Sequence, residues 1–117
     1  LIKKVKNLKN NRKLEIQGSG KETRSFIHIE DFCNAFHLLV KKGRHLNIYN
    51  LGTEERVSIK KILKYKKKFS NKEFNISNVP LKKGGTQHRC PNISKIKKLG
   101  FKQTIKLVNG IENLVKN

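Results

Sequence analysis

The chain has 117 residues, 28 Lys and Arg against 8 Asp and Glu, and a formal net charge of +20. That length holds one small domain at most, since domains run to about 100–150 residues. Leu, Ile, Val and Phe fill 36 positions, above the roughly one-fifth typical of disordered chains, so a core forms, though a thin one. No apolar run approaches the roughly 18 residues of a membrane span, and no signal-peptide pattern opens the chain.

In chain order, Ile2, Val5 and Leu8 recur at helical spacing, so residues 1–9 read as the end of a helix, broken by Asn10-Asn11. Leu14 and Ile16 alternate with polar neighbours, which predicts a strand over Lys13–Gln17. Gly18-Ser19-Gly20 is a turn, and Ser25–Ile29 a second strand. Asp31 stands where a helix N-cap belongs, since its carboxylate accepts the free N–H groups of a first turn. Phe32, Ala35, Phe36, Leu39 and Val40 form the inward face of that helix. Gly43 ends it in a left-handed conformation. Leu46–Leu51 is short and apolar, a buried strand closed by Gly52. Ser58 caps a helix running to about Phe69, with Ile59, Ile62 and Leu63 inward and Lys66 weakening the stripe. Phe74–Val79 is a strand stopped by Pro80, and Gly84-Gly85 a loop. Pro91-Asn92 opens a helix with Asn92 as N-cap and Gly100 at its end. Leu107–Val115 is a last helix with Val108, Ile111, Leu114 and Val115 on one side. Alternating strands and helices make the fold class α/β or α+β.

The charge does not by itself indicate nucleic acid. The cations are 23 Lys and only 5 Arg, whereas phosphate and base readers lean on the planar Arg fork. Lys, Asn and Ile together fill 48 positions, and all three have A/T-rich codons, so the skew reflects codon usage. No RNP-type aromatic motif, zinc-finger spacing or helix-turn-helix accompanies it. Lys60-Lys61 and Lys66-Lys67-Lys68 read as a solvated helix face. A small basic RNA- or DNA-binding module is the alternative reading, and its mark is affinity that falls steeply with salt.

Cys33 and Cys90 form neither a CxxC nor a disulfide framework, and a reduced cytoplasmic setting is the default. Cys33 with His37, and His88 with Cys90, match no standard zinc spacing, and Cys33 reads as a small buried hydrophobe. Gly18-Ser19-Gly20-Lys21-Glu22-Thr23 lacks the third Gly of a dinucleotide fingerprint, and a strand follows where pyrophosphate needs a helix N-terminus. No Ser/His/Asp, Cys/His or Tyr-x-x-x-Lys arrangement is present. Arg24, beside a flexible Gly turn, is suited to clamp a phosphate or carboxylate.

Three stretches carry a resemblance. Gly18 to Asp31 (GSGKETRSFIHIED) resembles the G-x-G-x-x-x-R-x-[FY]-[IV]-[HY]-[IV]-x-D stretch of NAD-dependent nucleotide-sugar epimerases and dehydratases, the extended short-chain dehydrogenase/reductases. Ile48-Tyr49-Asn50-Leu51-Gly52 is similar to their VYNIG strand. Arg89-Cys90-Pro91-Asn92-Ile93-Ser94-Lys95, followed by Lys98-Leu99-Gly100-Phe101, is similar to their R-x-P-D-I-S-K…K-L-G-[FWY]. Motif order and spacing agree over nearly the whole chain.

The resemblance implies the C-terminal, nucleotide-sugar-binding portion of an extended Rossmann-type enzyme. The Gly-rich cofactor turn and the Tyr-x-x-x-Lys pair would then precede Leu1, and NAD would be bound there. A chain that opens on Leu1 and contains no Met fits that expectation of a longer enzyme. The resemblance further implies that Arg24 contacts the diphosphate and that the backbone around Glu15–Gln17 lies against the base. It puts Arg89 near the phosphate or ribose, Lys82 and Lys83 on the pocket rim, and Tyr49 on a strand added to the cofactor-domain sheet. The substrate would be a UDP-, dTDP- or GDP-sugar. A homodimer would form through the Rossmann half, and this chain alone would be catalytically inert. Four positions depart from the family pattern. Gly85 stands where many members carry an acidic ribose-binding residue, Asn92 replaces Asp, Lys66 replaces an apolar residue and Lys106 replaces a Ser cap.

Overall fold

The structure, a computed structural model, describes residues 13–116. The helix expected over residues 1–9 lies outside the described residues. Five strands and four helices follow: β1 Lys13–Gln17, β2 Thr23–Arg24, α1 Ile29–Lys42, β3 Val57–Ser58, α2 Ile59–Ser70, β4 Asn75–Val79, β5 His88–Arg89, α3 Ser94–Lys98 and α4 Leu107–Lys116. The mixed α/β class matches the sequence reading.

Two small sheets organise these elements. In the first, β1 runs parallel to β4, in register from Lys13 with Asn75 to Gln17 with Val79. β1 alternates as its sequence predicts: Leu14 and Ile16 are buried, while Lys13, Glu15 and Gln17 face outward. Leu14 and Ile16 pack with Leu63 of α2 and Phe74, with Ile59 at the edge. The parallel pair is thus joined by a crossover whose helix, α2, covers its inner face. In the second sheet β2 is central, antiparallel to β3 and parallel to β5.

α2 begins where the sequence places it. The Ser58 hydroxyl accepts the Lys61 N–H at 3.2 Å. The Ile59 and Lys60 N–H groups donate to the carbonyls of Glu22 and Gly20 at 3.1 and 3.0 Å. Its first three N–H groups are therefore all satisfied, two of them by the turn before β2. Lys66 is buried rather than solvated, while Lys60, Lys61 and Lys68 are exposed as expected.

α1 departs from the expected register. His28 is its N-cap, with the ring Nδ1 accepting the Glu30 N–H. Asp31 lies inside the first turn, fully buried. Its carboxylate accepts the Thr104 N–H at 3.0 Å, the Thr104 hydroxyl at 2.5 Å and the Ile105 N–H at 3.0 Å. This tether fixes the helix rotation, because residues four, seven and eight further on share Asp31's face. Ala35, Leu38 and Leu39 accordingly pack against Ile93, Ile96 and Phe101. Phe32, Phe36 and Val40, expected inward, are exposed with Ile29 in an apolar stripe on another face. Cys33 is exposed as well, not a buried hydrophobe.

Four more expectations are corrected. Gly43 is not left-handed (φ −64°); a Cβ there would come within 2.5 Å of the Leu39 carbonyl, so close approach rather than handedness requires glycine. Leu46–Leu51 is not a strand. Leu46 has φ +57° and is 91% exposed, Ile48 is also exposed, and no described strand lies alongside to pair with it. Pairing in β2 stops at Arg24, short of the strand expected over Ser25–Ile29. Side chains replace the ladder there: the Ser25 hydroxyl donates to the Thr53 carbonyl, and the buried Thr53 hydroxyl donates to the Phe26 carbonyl at 3.0 Å. Finally, α3 starts at Ser94 with Ile93 as N-cap, and Asn92 caps from one position earlier, its Oδ1 accepting the Ser94 N–H at 2.9 Å. α4 matches its expected span, with Ile111 buried against Val57 and Ile62.

Leu63→Ala should destabilise the fold by about 2–5 kcal/mol, since it opens a cavity at the junction of β1, β4 and α2. The same truncation at Phe36, which is 55% exposed, should cost much less. Urea unfolding of the two variants checks the contrast. Asp31 gives a pH prediction. Burial disfavours its charge and is the largest single effect, but the Thr104 hydroxyl, the Ile105 and Thr104 N–H groups and nearby His28 outweigh it, holding the carboxyl below its ordinary 3.8. The stability it supplies is complete above that ordinary value and is lost as pH falls through the lowered one. Asp31→Asn should therefore flatten the acid limb of stability against pH.

Candidate functional site

The site grows from the turn between β1 and β2. The Gly18 N–H donates to the Val79 carbonyl at 2.8 Å, extending the β1–β4 ladder by one rung. The chain then reverses through Gly18, at φ +80°, a region that favours glycine. The turn is not loose. The carboxylate of Glu22 accepts the Ser19 N–H at 2.8 Å, the Ser19 hydroxyl at 3.1 Å and the Gly20 N–H at 2.7 Å. A Cβ on Gly18 would lie 2.2 Å from the Glu22 Oε1. Hydrogen bonds hold the Glu22 carboxyl below its ordinary range, first from its own backbone N–H and next from that of Ser19.

β2 leaves this turn and places Arg24 beside Arg89. The two are register partners on adjacent parallel strands, which puts their side chains on one face with Cα atoms about one strand spacing apart. Like charges at directly opposed positions repel. The Arg24 guanidinium relieves part of this on backbone oxygens: Nη1 donates to the Thr23 carbonyl at 2.8 Å and the Gln87 carbonyl at 3.2 Å, and Nη2 donates to the Thr86 carbonyl at 2.7 Å. Three of its five N–H donors are thus used and two remain. Arg89 Nη2 donates to the Thr86 hydroxyl at 3.3 Å and is otherwise exposed.

Two concavities meet at Arg24. One, of about 270 Å³, is lined by Glu15, Ile16, Gln17, Glu22, Arg24, Ile59 and Leu81. The other, of about 330 Å³, is lined by Arg24, Arg89, Ser25, Asn50 and Cys90 together with Ile27, Leu51, Gly52 and Pro91. The second has no carboxylate in its lining, so its field is cationic. Of the residues singled out from sequence, Glu15, Gln17 and Arg24 share the first concavity, and Arg24 and Arg89 share the second. Lys82 and Lys83 line neither; they sit exposed on the following turn, where the Gly85 N–H closes onto the Lys82 carbonyl at 2.8 Å.

Sequence reasoning missed Glu22, Ser25, Asn50 and Leu81. Glu22 carried a legible signal, a carboxylate two residues after a Gly-x-Gly turn and able to reach its N–H groups. The carbonyls of Thr86 and Gln87 left no side-chain signal at all.

No group of three or more His, Cys, Asp or Glu among the described residues could hold a metal. Nor does the Gly18–Gly20 turn fit a dinucleotide. Its Ser19 and Gly20 N–H groups are taken by Glu22, and a strand rather than a helix follows. Both cysteines are free thiols. No helix of the structure is long and apolar enough to cross a membrane, as far as the described residues go.

The model of the NAD dependent epimerase/dehydratase family matches residues 1–52. The dTDP-D-glucose 4,6-dehydratase of Dictyostelium discoideum is 43% identical over 51 residues, 44% of this chain and 12% of that protein. A trifunctional UDP-glucose 4,6-dehydratase/UDP-4-keto-6-deoxy-D-glucose 3,5-epimerase/UDP-4-keto-L-rhamnose-reductase of Arabidopsis thaliana is 30% identical over 101 residues, 85% of this chain and 15% of that protein. Among solved structures, the UDP-glucuronic acid 4-epimerase of Bacillus cereus in complex with UDP-glucuronic acid and NAD superposes with a TM-score of 0.83 at 26% identity, over 99% of this chain and 38% of that one. The chain thus spans well under half the length of each relative.

Arg24→Lys keeps the charge but not the fork, so the carbonyls of Thr86 and Gln87 lose their donor. Amide hydrogen exchange over residues 84–88 should accelerate several-fold, while exchange in α2 stays as it was.

Proposed function

The chain belongs to the NAD-dependent epimerase/dehydratase family, and from that premise we propose that residues 1–117 form the nucleotide-sugar-binding region of a longer enzyme. Its substrate is a UDP-, dTDP- or GDP-sugar. The observation that carries this reading is the register pairing of Arg24 with Arg89. Two guanidiniums on adjacent strands, facing a concavity free of carboxylates, are a costly arrangement until a polyanion lies between them. A diphosphate supplies that charge in the bidentate geometry an Arg fork favours.

In this reading Arg24 and Arg89 hold the diphosphate. Glu15, Ile16 and Gln17 line the adjoining concavity for the base, while Lys82 and Lys83 stay on the exposed turn outside both concavities. NAD, when bound, accepts hydride from a sugar hydroxyl, and it is held by the family's N-terminal half, because the glycine turn here does not fit it. In this reading the residues of this chain bind and orient the sugar nucleotide, and the Tyr-x-x-x-Lys pair belongs to the cofactor-binding half. The exposed apolar stripe of α1 and the unpaired Tyr49 segment suit coverage by that cofactor-binding half, with the segment as an added strand. The enzyme is cytoplasmic, in keeping with two free thiols, and dimerises through the cofactor-binding half.

Titration calorimetry tests the assignment. UDP or dTDP should bind the chain at least about tenfold more tightly than its nucleoside, as expected when charge-assisted hydrogen bonds to phosphate are added. That preference should collapse in Arg89→Ala and in Arg24→Ala. Equal affinity for nucleoside and nucleoside diphosphate would overturn the reading. Incubated alone with UDP-glucose or dTDP-glucose, the chain should return the sugar unchanged.

A further inference from the structure

The most deeply committed charged group beside the site is not one of its arginines but Glu22. The residue is buried, its carboxylate answers three donors of the Gly18–Gly20 turn, and it lines the concavity that holds both Gln17 and Arg24. Gln17 ends β1 and Arg24 ends β2, so the distance between the two halves of the site is set by the turn between them. Glycines at φ +80° and +77° give this turn no conformational preference of its own. Its shape is specified instead from outside. Glu22 pins it from within the concavity, the Asn78 amide donates to the Ser19 carbonyl at 3.3 Å, and the Lys60 N–H donates to the Gly20 carbonyl. Only the first of these contacts joins the turn to the strand that carries Arg24.

We propose that Glu22 is a positioning residue for substrate recognition: its carboxylate locks the β1–β2 turn so that Gln17 and Arg24 face one concavity at a fixed separation, matching a base to its diphosphate. The proposal rests on the nucleotide-sugar reading above. Both carboxylate oxygens are needed, since Oε1 serves Ser19 and Oε2 serves Gly20. Glu22→Gln places an amide NH2 against an N–H at one of the two positions, and Glu22→Asp keeps both oxygens on a shorter stem.

The experiment compares the unaltered chain with Glu22→Gln, Glu22→Asp and Arg24→Ala by NMR. The first readout needs no ligand. In Glu22→Gln the Ser19 and Gly20 amides should lose protection, and the Arg24 guanidinium Nη–H signals, which carry its hydrogen bonds to Thr23, Thr86 and Gln87, should broaden or exchange at least several-fold faster. The amides of Leu63 and Ile96 should hold, showing that the fold is intact. If Ser19 and Gly20 loosen while the Arg24 signal is unmoved, Glu22 braces the turn only and the positioning role falls. Should Glu22→Gln fail to fold, Glu22→Asp carries the same comparison. The second readout is titration with UDP, dTDP and GDP. Affinity should fall roughly tenfold in Glu22→Gln, with partial recovery in Glu22→Asp; equal affinity in Glu22→Gln and the unaltered chain overturns the proposal. If the unaltered chain binds none of the three, it is the nucleotide reading that fails, while the Arg24 signal still decides whether Glu22 sets that side chain in place.

Discussion

Three donors on one short turn, all answered by the carboxylate of Glu22, are the contact on which the surrounding structure depends. The turn links the two sheets. On one side it continues the β1–β4 ladder through Gly18; on the other it delivers β2 into the middle of the second sheet. Its outward carbonyls, at Gly20 and Glu22, satisfy the first two N–H groups of α2. Two helix-end donors, one ladder rung and the start of β2 thus meet at one turn, whose Ser19 and Gly20 N–H groups one side chain holds. A glycine-rich turn left to itself would populate many conformations, and the pairing of Arg24 with Arg89 would be set by none of them.

Charge economy explains why carboxylates play this part. With 28 cations and 8 acids, ion pairing cannot neutralise the chain. The two buried carboxylates are bonded mainly to backbone N–H and hydroxyl groups rather than to lysines: Glu22 to its turn, Asp31 to Thr104 and Ile105. Buried carboxylates are stabilised well by several such donors. Glu54 is the intermediate case. Its carboxyl is held below the usual range first by the hydrogen bond from Lys97, at 2.5 Å, and next by the Ile93 N–H. The exposed pairs, Lys67 with Glu73 and Lys116 with Glu112, contribute little, on the order of 0–1 kcal/mol each. Most of the positive charge stays on the surface, and the concavity between Arg24 and Arg89 is where two of those charges are forced together by strand pairing rather than spread by solvation.

Family membership and geometry address different halves of one arrangement. The relatives account for the mixed α/β fold. The geometry sets Arg24 and Arg89 on one face, beside a concavity whose lining holds no carboxylate. The apolar stripe at Ile29, Phe32, Phe36 and Val40 has the same logic. An amphipathic helix that presents apolar residues on two faces is built to lie between two bodies, and only one of those faces is covered by the described residues.

Much of the framework was legible in residue order. β1, α2, β4 and α4 follow from apolar periodicity, from Ser58 as a cap and from Pro80 as a stop, all of them local properties that act over a few residues. Arg24 and Arg89 were legible through motif resemblance. What residue order did not determine was rotation, pairing and contact across the fold. Asp31 reads as a cap until Thr104, 73 positions away, takes its carboxylate and turns the helix. Leu46–Leu51 reads as a strand, but a strand needs a partner to satisfy its backbone, and no described one lies beside it. Glu22 and Arg24 read as neighbours of a turn, and only the three-dimensional arrangement reveals that one locks the turn and the other folds over Thr86 and Gln87. Sequence alone determined which segments could be helix or strand, because propensity and periodicity are local. Tertiary structure decided which face of each is buried and which side chains meet at the site, because those depend on hydrogen-bond partners far away in the chain.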